Sequence, residues 1–371
     1  MESIIIVQTV LPHYRKSFFE LICLSQDYDI SVVSGKDETI AKSFNLTNNN
    51  ILDQLINKKH KIASHTFIFQ KGLFRFILNK KPDHVVFGGP DIHVISSLLI
   101  AIYLRLFTKT KIHWWTHGLS IKNKWLRRIQ AFFLSFSRSA IVYETEGKKN
   151  IVEHLQWNTQ RISVLKNSIN TRDYGFNRLP CIEKAYTQND PLKILFSGRM
   201  TTNKRCDILI KAIAILNNKG MNCIVNIVGK GESYDDCVAL VSQLNINDKV
   251  NFLGELYEDE VHGIFCESDL FVLPGKVGLS VVHALSYGLP VITTREPIHS
   301  PEIAIIEEGK NGSFFIGLSP ENLATEIVEW FILVKTHPKE IKISIMESVV
   351  QSGYTPESMS ENFLNHFKYL N

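Results

Sequence analysis

Short apolar runs rich in Val, Ile, Leu and Phe recur along the chain, and most are followed by a stretch whose apolar positions return every three or four residues. The runs predict strands buried on both faces, as in parallel sheets, and the longer period predicts helices packed over them. Strands are expected at 4–9, 30–34, 84–88, 111–116, 139–143 and 162–165, then at 193–197, 223–228, 250–253, 270–273, 290–293 and 312–315, with helices in the gaps. The stretch 167–191 mixes Asn, Arg, Pro, Gly and Asp without a period, as a linker does. The pattern predicts an α/β chain of two Rossmann-like domains with parallel sheets and a cleft between them.

Composition narrows the class. At 371 residues with 44% apolar and 21% charged content, two globular domains are expected, and disordered or fibrous chains are excluded. The net charge of +4 conceals an asymmetry. Residues 1–180 hold 25 Lys+Arg against 13 Asp+Glu (+12), and residues 181–371 hold 16 against 24 (−8). A basic half attracts nucleic acid or an anionic membrane; no nucleic-acid fold signature accompanies the charge, so no nucleic acid is expected as a partner. The six cysteines form no C-x-x-C pair and are expected to be reduced interior thiols. With Met1-Glu2 leading straight into Ile4-Ile5-Ile6-Val7, no secretory leader is expected and a cytoplasmic location is. The apolar run 94–107 is too short to cross a bilayer and is expected to be a core helix.

Open α/β sheets bind ligands outside the carboxyl ends of their strands, so the residues just past those ends are the chemical candidates. After 193–197 come Gly198, Arg199 and Lys204, two cations able to converge on one anion near the start of a helix over 208–216; a solvated basic turn is the alternative. After 270–273 comes Pro274-Gly275-Lys276-Val277-Gly278-Leu279-Ser280, where Ser280 is expected to cap a helix and His283 to share its face. Val228-Gly229-Lys230-Gly231 lacks the third glycine of the dinucleotide fingerprint, Tyr234 standing in its place, so no hydride-transfer cofactor is expected. In the first half, His117 ends the strand Trp114-Trp115-Thr116, at a sheet edge where a near-neutral side chain serves proton exchange, unless it is an ordinary surface histidine. Tyr14 and Arg15 form a second lip, with a surface arginine as the alternative. Asp27 and Asp29 have the spacing of a metal pair but precede a strand, and read as a solvated turn.

The stretches 198–204, 227–231, 250–254, 268–274 and 284–292 resemble, in order and spacing, glycosyltransferase family 4, and the resemblance runs through nearly the whole chain. It implies the GT-B fold and transfer of a sugar from a nucleotide diphosphate, with retention and without a metal or other cofactor. Arg199 and Lys204 would hold the diphosphate. Gly198, Gly231 and the turn Gly275, Val277, Gly278, Leu279 and Ser280 would face phosphate and sugar, Gly254 would line the base pocket, and His117-Gly118 would lie at the donor sugar. Two glutamates usual in the family are replaced here by Gly275 and His283, the latter able to bond the ribose in place of a carboxylate. The implied domains are 1–185, joined by a terminal helix within 353–371, and 190–352.

The basic half suggests the acceptor. Residues 71–81 and 122–138 interleave aromatic and cationic side chains, as do helices lying in an anionic membrane interface, or else they are ordinary amphipathic helices facing a core. The expected activity is transfer of a hexose or deoxyhexose from a UDP- or GDP-sugar to a lipid-linked bacterial glycan (O-antigen, lipopolysaccharide or capsule) by a peripheral enzyme on the inner face of the membrane. The alternatives are a sugar-nucleotide epimerase and a noncatalytic nucleotide-sugar-binding relative.

Overall fold

The computed structural model describes residues 1–36, 51–169, 190–256, 259–296 and 299–370. The chain forms two compact units, Met1–Asn170 with Pro356–Asn371, and Thr171–Thr355. Most of the expected linker, and Cys181, lie outside the described residues.

The first unit runs β1 (Glu2–Gln8), α1 (Lys16–Cys23), β2 (Tyr28–Lys36), β3 (Ile51–Ile62), β4 (His65–Lys71), α2 (Leu73–Lys80), β5 (His84–Gly88), α3 (Ile95–Phe107), β6 (Lys111–Thr116), α4 (Lys124–Ser135), β7 (Ser139–Val142), α5 (Thr145–Leu155) and β8 (Ile162–Val164). Its sheet order is β4-β3-β2-β1-β5-β6-β7-β8, parallel except for the β3–β4 pair. The sheet separates two cores by the alternation of its strands. Ile5, Val7, Phe87 and Trp114 pack with residues of α2 to α5, while Ile4, Ile6, Val86 and Trp115 pack with Phe18 and Phe19 of α1. The hairpin β3–β4 was not expected from the sequence. Residues 58–62 are exposed, because this part of β3 runs on as a two-stranded ribbon with no face to bury.

The second unit runs β9 (Leu192–Ser197), α6 (Cys206–Asn218), β10 (Cys223–Val228), α7 (Tyr234–Gln243), β11 (Val250–Gly254), α8 (Asp259–Glu267), β12 (Leu270–Val272), α9 (Leu279–Ser286), β13 (Val291–Thr294), β14 (Gly312–Phe315), α10 (Pro320–Thr336) and α11 (Pro338–Gln351). Its order is β11-β10-β9-β12-β13-β14, all parallel. This is the doubly wound order, and its direction reverses between β9 and β12, where ligands of such sheets bind.

The terminal helix α12 (Pro356–Lys368) returns to the first unit, where Met359, Phe363 and Phe367 complete the core beneath α1. At the amino edge of that sheet it closes a buried polar chain. His84 Nδ1 lies 2.9 Å from His113 Nε2, His113 Nδ1 lies 2.5 Å from Ser139 Oγ, and Ser139 Oγ lies 2.7 Å from His366 Nε2. His366 Nδ1 in turn meets Ser163 Oγ at 2.7 Å. No helix among the described residues is long and apolar enough to cross a membrane.

Candidate functional site

Three loops of the second unit are stitched together at the carboxyl edge. The N–H groups of Gly198 and Met200 donate to the carbonyls of Val228 and Lys230 at 3.0 Å each, and Gly229 N–H donates to Gly254 at 2.6 Å. Gly231 has φ +158°, and a Cβ there would stand 2.4 Å from the Met200 carbonyl, so only glycine lets the loops after β9 and β10 touch. Met200 is buried beneath them while Arg199 is exposed at the strand end.

The turn after β12 rests on the loop after β9. A Cβ on Gly275 would stand 2.1 Å from the Asn203 carbonyl and 2.5 Å from the Lys204 carbonyl carbon, so the glutamate usual in the resembled family has no room here. Lys276 N–H donates to the Asn203 carbonyl at 2.8 Å, and Lys204 Nζ returns a bond to the Lys276 carbonyl at 2.5 Å. Burial, then the neighbouring Lys276, lowers the Lys204 pKa from its ordinary value, with Glu302 opposing the shift. A buried cation with a second one beside it forms a place that an anion stabilises.

His299 was not found from the sequence, yet it fixes this turn. Its Nδ1 accepts from Val277 N–H at 3.1 Å, so its proton sits on Nε2, which donates to the Thr294 carbonyl at 2.6 Å. Burial lowers its pKa, the Thr294 bond opposes this, and Lys204 and Lys276 add to the lowering. Thr293 Oγ1 holds the Leu273 carbonyl at 2.7 Å. The carboxyl-edge rule applied to β13 points to this loop, although no periodic signal marks His299.

Ser280 does not cap α9. The helix starts at Leu279 with Gly278 as its N-cap and no side-chain bond, so Ser280 lies inside the first turn. Its first N–H groups lack carbonyls within the helix, the usual anion-binding arrangement of a helix start. His283, one turn on, stands in an aromatic cluster, 4.3 Å from the Phe265 ring and 5.3 Å from that of Tyr287. Burial, followed by the nearby His262, lowers its pKa to about 4, so it is neutral at pH 7.

In the first unit, β6 delivers His117 to the carboxyl edge, where it is exposed and its ring centroid lies 4.4 Å from that of Tyr143. Gly118 takes φ +101°, and Gly147 of α5 carries no Cβ that would stand 2.7 Å from the His117 carbonyl. Arg15 is not the surface residue offered as an alternative. It is 5% exposed, donates to Tyr143 Oη at 3.0 Å and Asn167 Oδ1 at 2.8 Å, and its guanidinium lies 4.7 Å from the Trp115 ring and 5.4 Å from the Tyr14 ring. Tyr14, Arg15, Tyr143 and His117 are thus linked in one aromatic and cationic cluster, of which Tyr143 and Asn167 were not singled out from the sequence.

Asp27 pairs with Lys368 at 2.8 Å, and Tyr28 and Asp29 open β2. Among the described residues no group of three His, Cys, Asp or Glu side chains is placed to hold a metal ion. Cys23, Cys206, Cys223 and Cys237 are free thiols, whereas Cys266 is disulfide-bonded, so the expectation of reduced thiols fails there.

Residues 182–340 match the family model described as glycosyl transferases group 1. An uncharacterized glycosyltransferase of Haemophilus influenzae is 24% identical over 344 residues, covering 91% of this chain and 90% of that protein. The first curated relatives match over only 42% of their own length, so the chain spans less than half of them. Among solved structures, Anabaena HepE in complex with UDP superposes with a TM-score of 0.71 at 15% identity, covering 99% of this chain and 100% of that one. A lipopolysaccharide outer core galactosyltransferase, WaaB, does so at 0.70 and 15%, covering 99% of each. The chain has the GT-B glycosyltransferase fold, and its residues 182–340 match the group 1 glycosyl transferases.

Proposed function

We propose that the chain is a retaining, metal-independent glycosyltransferase that moves a hexose or deoxyhexose from a UDP- or GDP-sugar to a lipid-linked glycan in bacterial surface polysaccharide synthesis. The observation that carries this is the pairing of Lys204 with the Lys276 carbonyl at the β9/β12 switch point, beside the first turn of α9. Cleavage of the anomeric bond leaves charge on the departing diphosphate. Lys204, Arg199 and the N–H groups of Gly278, Leu279 and Ser280 are the groups that would take up that charge without a metal. Gly198, Gly231 and Gly254 keep the neighbouring backbone bare for the nucleotide, with His283 toward the ribose. His117 and Gly118 would serve the donor sugar, and Tyr14 and Arg15 the acceptor or a phosphate. The UDP complex of HepE and the lipopolysaccharide role of WaaB support the donor and acceptor classes.

The test is a melting-temperature screen with UDP, GDP, ADP, CMP and dTDP, followed by transfer assays with sugars of the nucleotide that binds. A ligand at one hundred times its dissociation constant stabilises by about 2.7 kcal/mol. A shift with UDP or GDP that Lys204→Ala abolishes supports the reading, and no shift with either overturns it.

A further inference from the structure

The first unit carries a basic and apolar surface apart from the residues given a part in glycosyl transfer. Residues 54–143 contain 15 Lys+Arg and only two acids, Asp83 and Asp91, and from 92 to 143 there are eight basic residues and no acid. The same span holds 11 of the 20 large apolar side chains found exposed among the described residues. Apolar and cationic excess therefore coincide on one span instead of being scattered.

The helices order this excess. On α3 the expected core helix is only half a core helix. Ile100, Ala101 and Leu104 are buried, while Ile95, Leu99 and Leu106, spaced as one helical face, are 37, 55 and 68% exposed. On α4, Trp125 is 63% and Phe132 59% exposed, with exposed Arg128 between them on the same face and Ile121 one turn before. Lys122, Lys124, Arg127 and Arg128 crowd the start of α4, the end that the helix dipole already makes positive. That placement opposes the helix's own stability and favours an anionic partner.

Between the C-terminal ends of the two helices a cavity of about 490 Å³ is lined by Arg105, Lys109, Lys111, Arg138 and Arg161. Of these, Lys111 pairs with Glu2; no ion pair among the described residues engages the other four. Exposed Leu106 and Phe107 adjoin Arg105 in sequence. We infer that the α3–α4 face docks on an anionic lipid bilayer, Trp125, Phe132, Leu106 and Phe107 entering the interfacial layer and the cavity receiving a lipid phosphate. The partner is a membrane surface because the apolar side chains form ridges flanked by cations, as interfacial helices do. The inference does not depend on which sugar is transferred.

The experiment is co-sedimentation of the full chain with vesicles of phosphatidylcholine alone and of phosphatidylcholine with 30 mol% phosphatidylglycerol. Binding is expected only to the anionic vesicles and is expected to fall at least tenfold at high salt. Trp125→Ser/Phe132→Ser and, separately, Arg105→Gln/Lys109→Gln should each weaken it at least tenfold, while Ile332→Ser/Leu333→Ser, an exposed apolar pair on α10, should leave it unchanged. All variants should keep the wild-type melting temperature and its shift with nucleotide. Equal binding to both vesicles, unchanged binding by the α4 variant, or no binding overturns the proposal. So does competition by millimolar inorganic phosphate that removes all binding, which would make the cavity a site for free phosphate, or a dimer in sedimentation that Trp125→Ser abolishes.

Discussion

Lys204 Nζ donates to the carbonyl of Lys276, 72 residues along the chain, and so ties the loop after β9 to the turn after β12. The bond leaves the ammonium charge in place while fixing where it stands. Lys204→Ala should lower kcat/KM by about 10² to 10³, the usual scale for removing one preorganised charge-stabilising donor, and should change stability by only about 1 kcal/mol. Steady-state kinetics with the identified donor, alongside thermal melts, would check both, and a variant with intact turnover would remove Lys204 from the site.

Gly275 gives a second prediction, of opposite kind. Restoring the glutamate typical of the resembled family, Gly275→Glu, should not improve activity, because the new Cβ would meet the Asn203 carbonyl at 2.1 Å. Even Gly275→Ala should destabilise by about 1–3 kcal/mol through overpacking and weaken donor binding as the turn is pushed off Lys204. Denaturant titration measures the first effect and nucleotide-dependent melting shifts the second.

Much of this was legible in the sequence for one physical reason: parallel strands buried on both faces must be apolar throughout, and ligands must sit past their carboxyl ends. Val291, Ile292 and Phe271 announce strands wherever they are embedded, and Arg199 and Lys204 are marked by position alone. What could not be read has no such constraint. The outer part of β3 is exposed on both faces, so its sequence carries no strand period. His299 serves Val277 across 22 residues of chain, a pairing set by how two loops close and not by any local pattern. The burial of Arg15 depends on Trp115 and Tyr143, which the chain supplies more than 90 residues later.

The buried histidine chain predicts acid sensitivity. Burial lowers the pKa of His84, holds that of His113 well below its usual value, and lowers that of His366 to about 3. Because the folded values lie below the unfolded value near 6.5, the unfolded chain binds more protons on acidification. Stability is therefore fully present above about pH 6.5 and falls as pH drops below it, His366 alone accounting for about 1.4 kcal/mol at pH 5.5. Melts between pH 8 and 5 should show this fall, and His366→Gln should flatten it. A flat profile in the wild-type chain would mean that the chain is not neutral in the fold.

His299 predicts a pH effect at the site itself. Its Nδ1 accepts from Val277 only while unprotonated, and protonation would set two donors against each other and release the turn. With its pKa lowered by burial and by the two lysines, the bond is present at pH 7 and is lost only as pH falls below the ordinary histidine range. Donor affinity should therefore be level from pH 8 to about 6.5 and should decline beneath that. A sugar nucleotide is the ligand to use, since its diphosphate does not titrate in this window, whereas free UDP does. His299→Ala should bind donor more weakly at pH 7.5, raise KM more than it lowers kcat, and show a shallower decline on acidification, because the group that titrates is gone. Calorimetric titration at several pH values would separate this from the acid unfolding of the first unit, since affinity is measured on the folded fraction. If His299→Ala kept the wild-type profile, another group would be titrating and His299 would be only a packing residue of the loop.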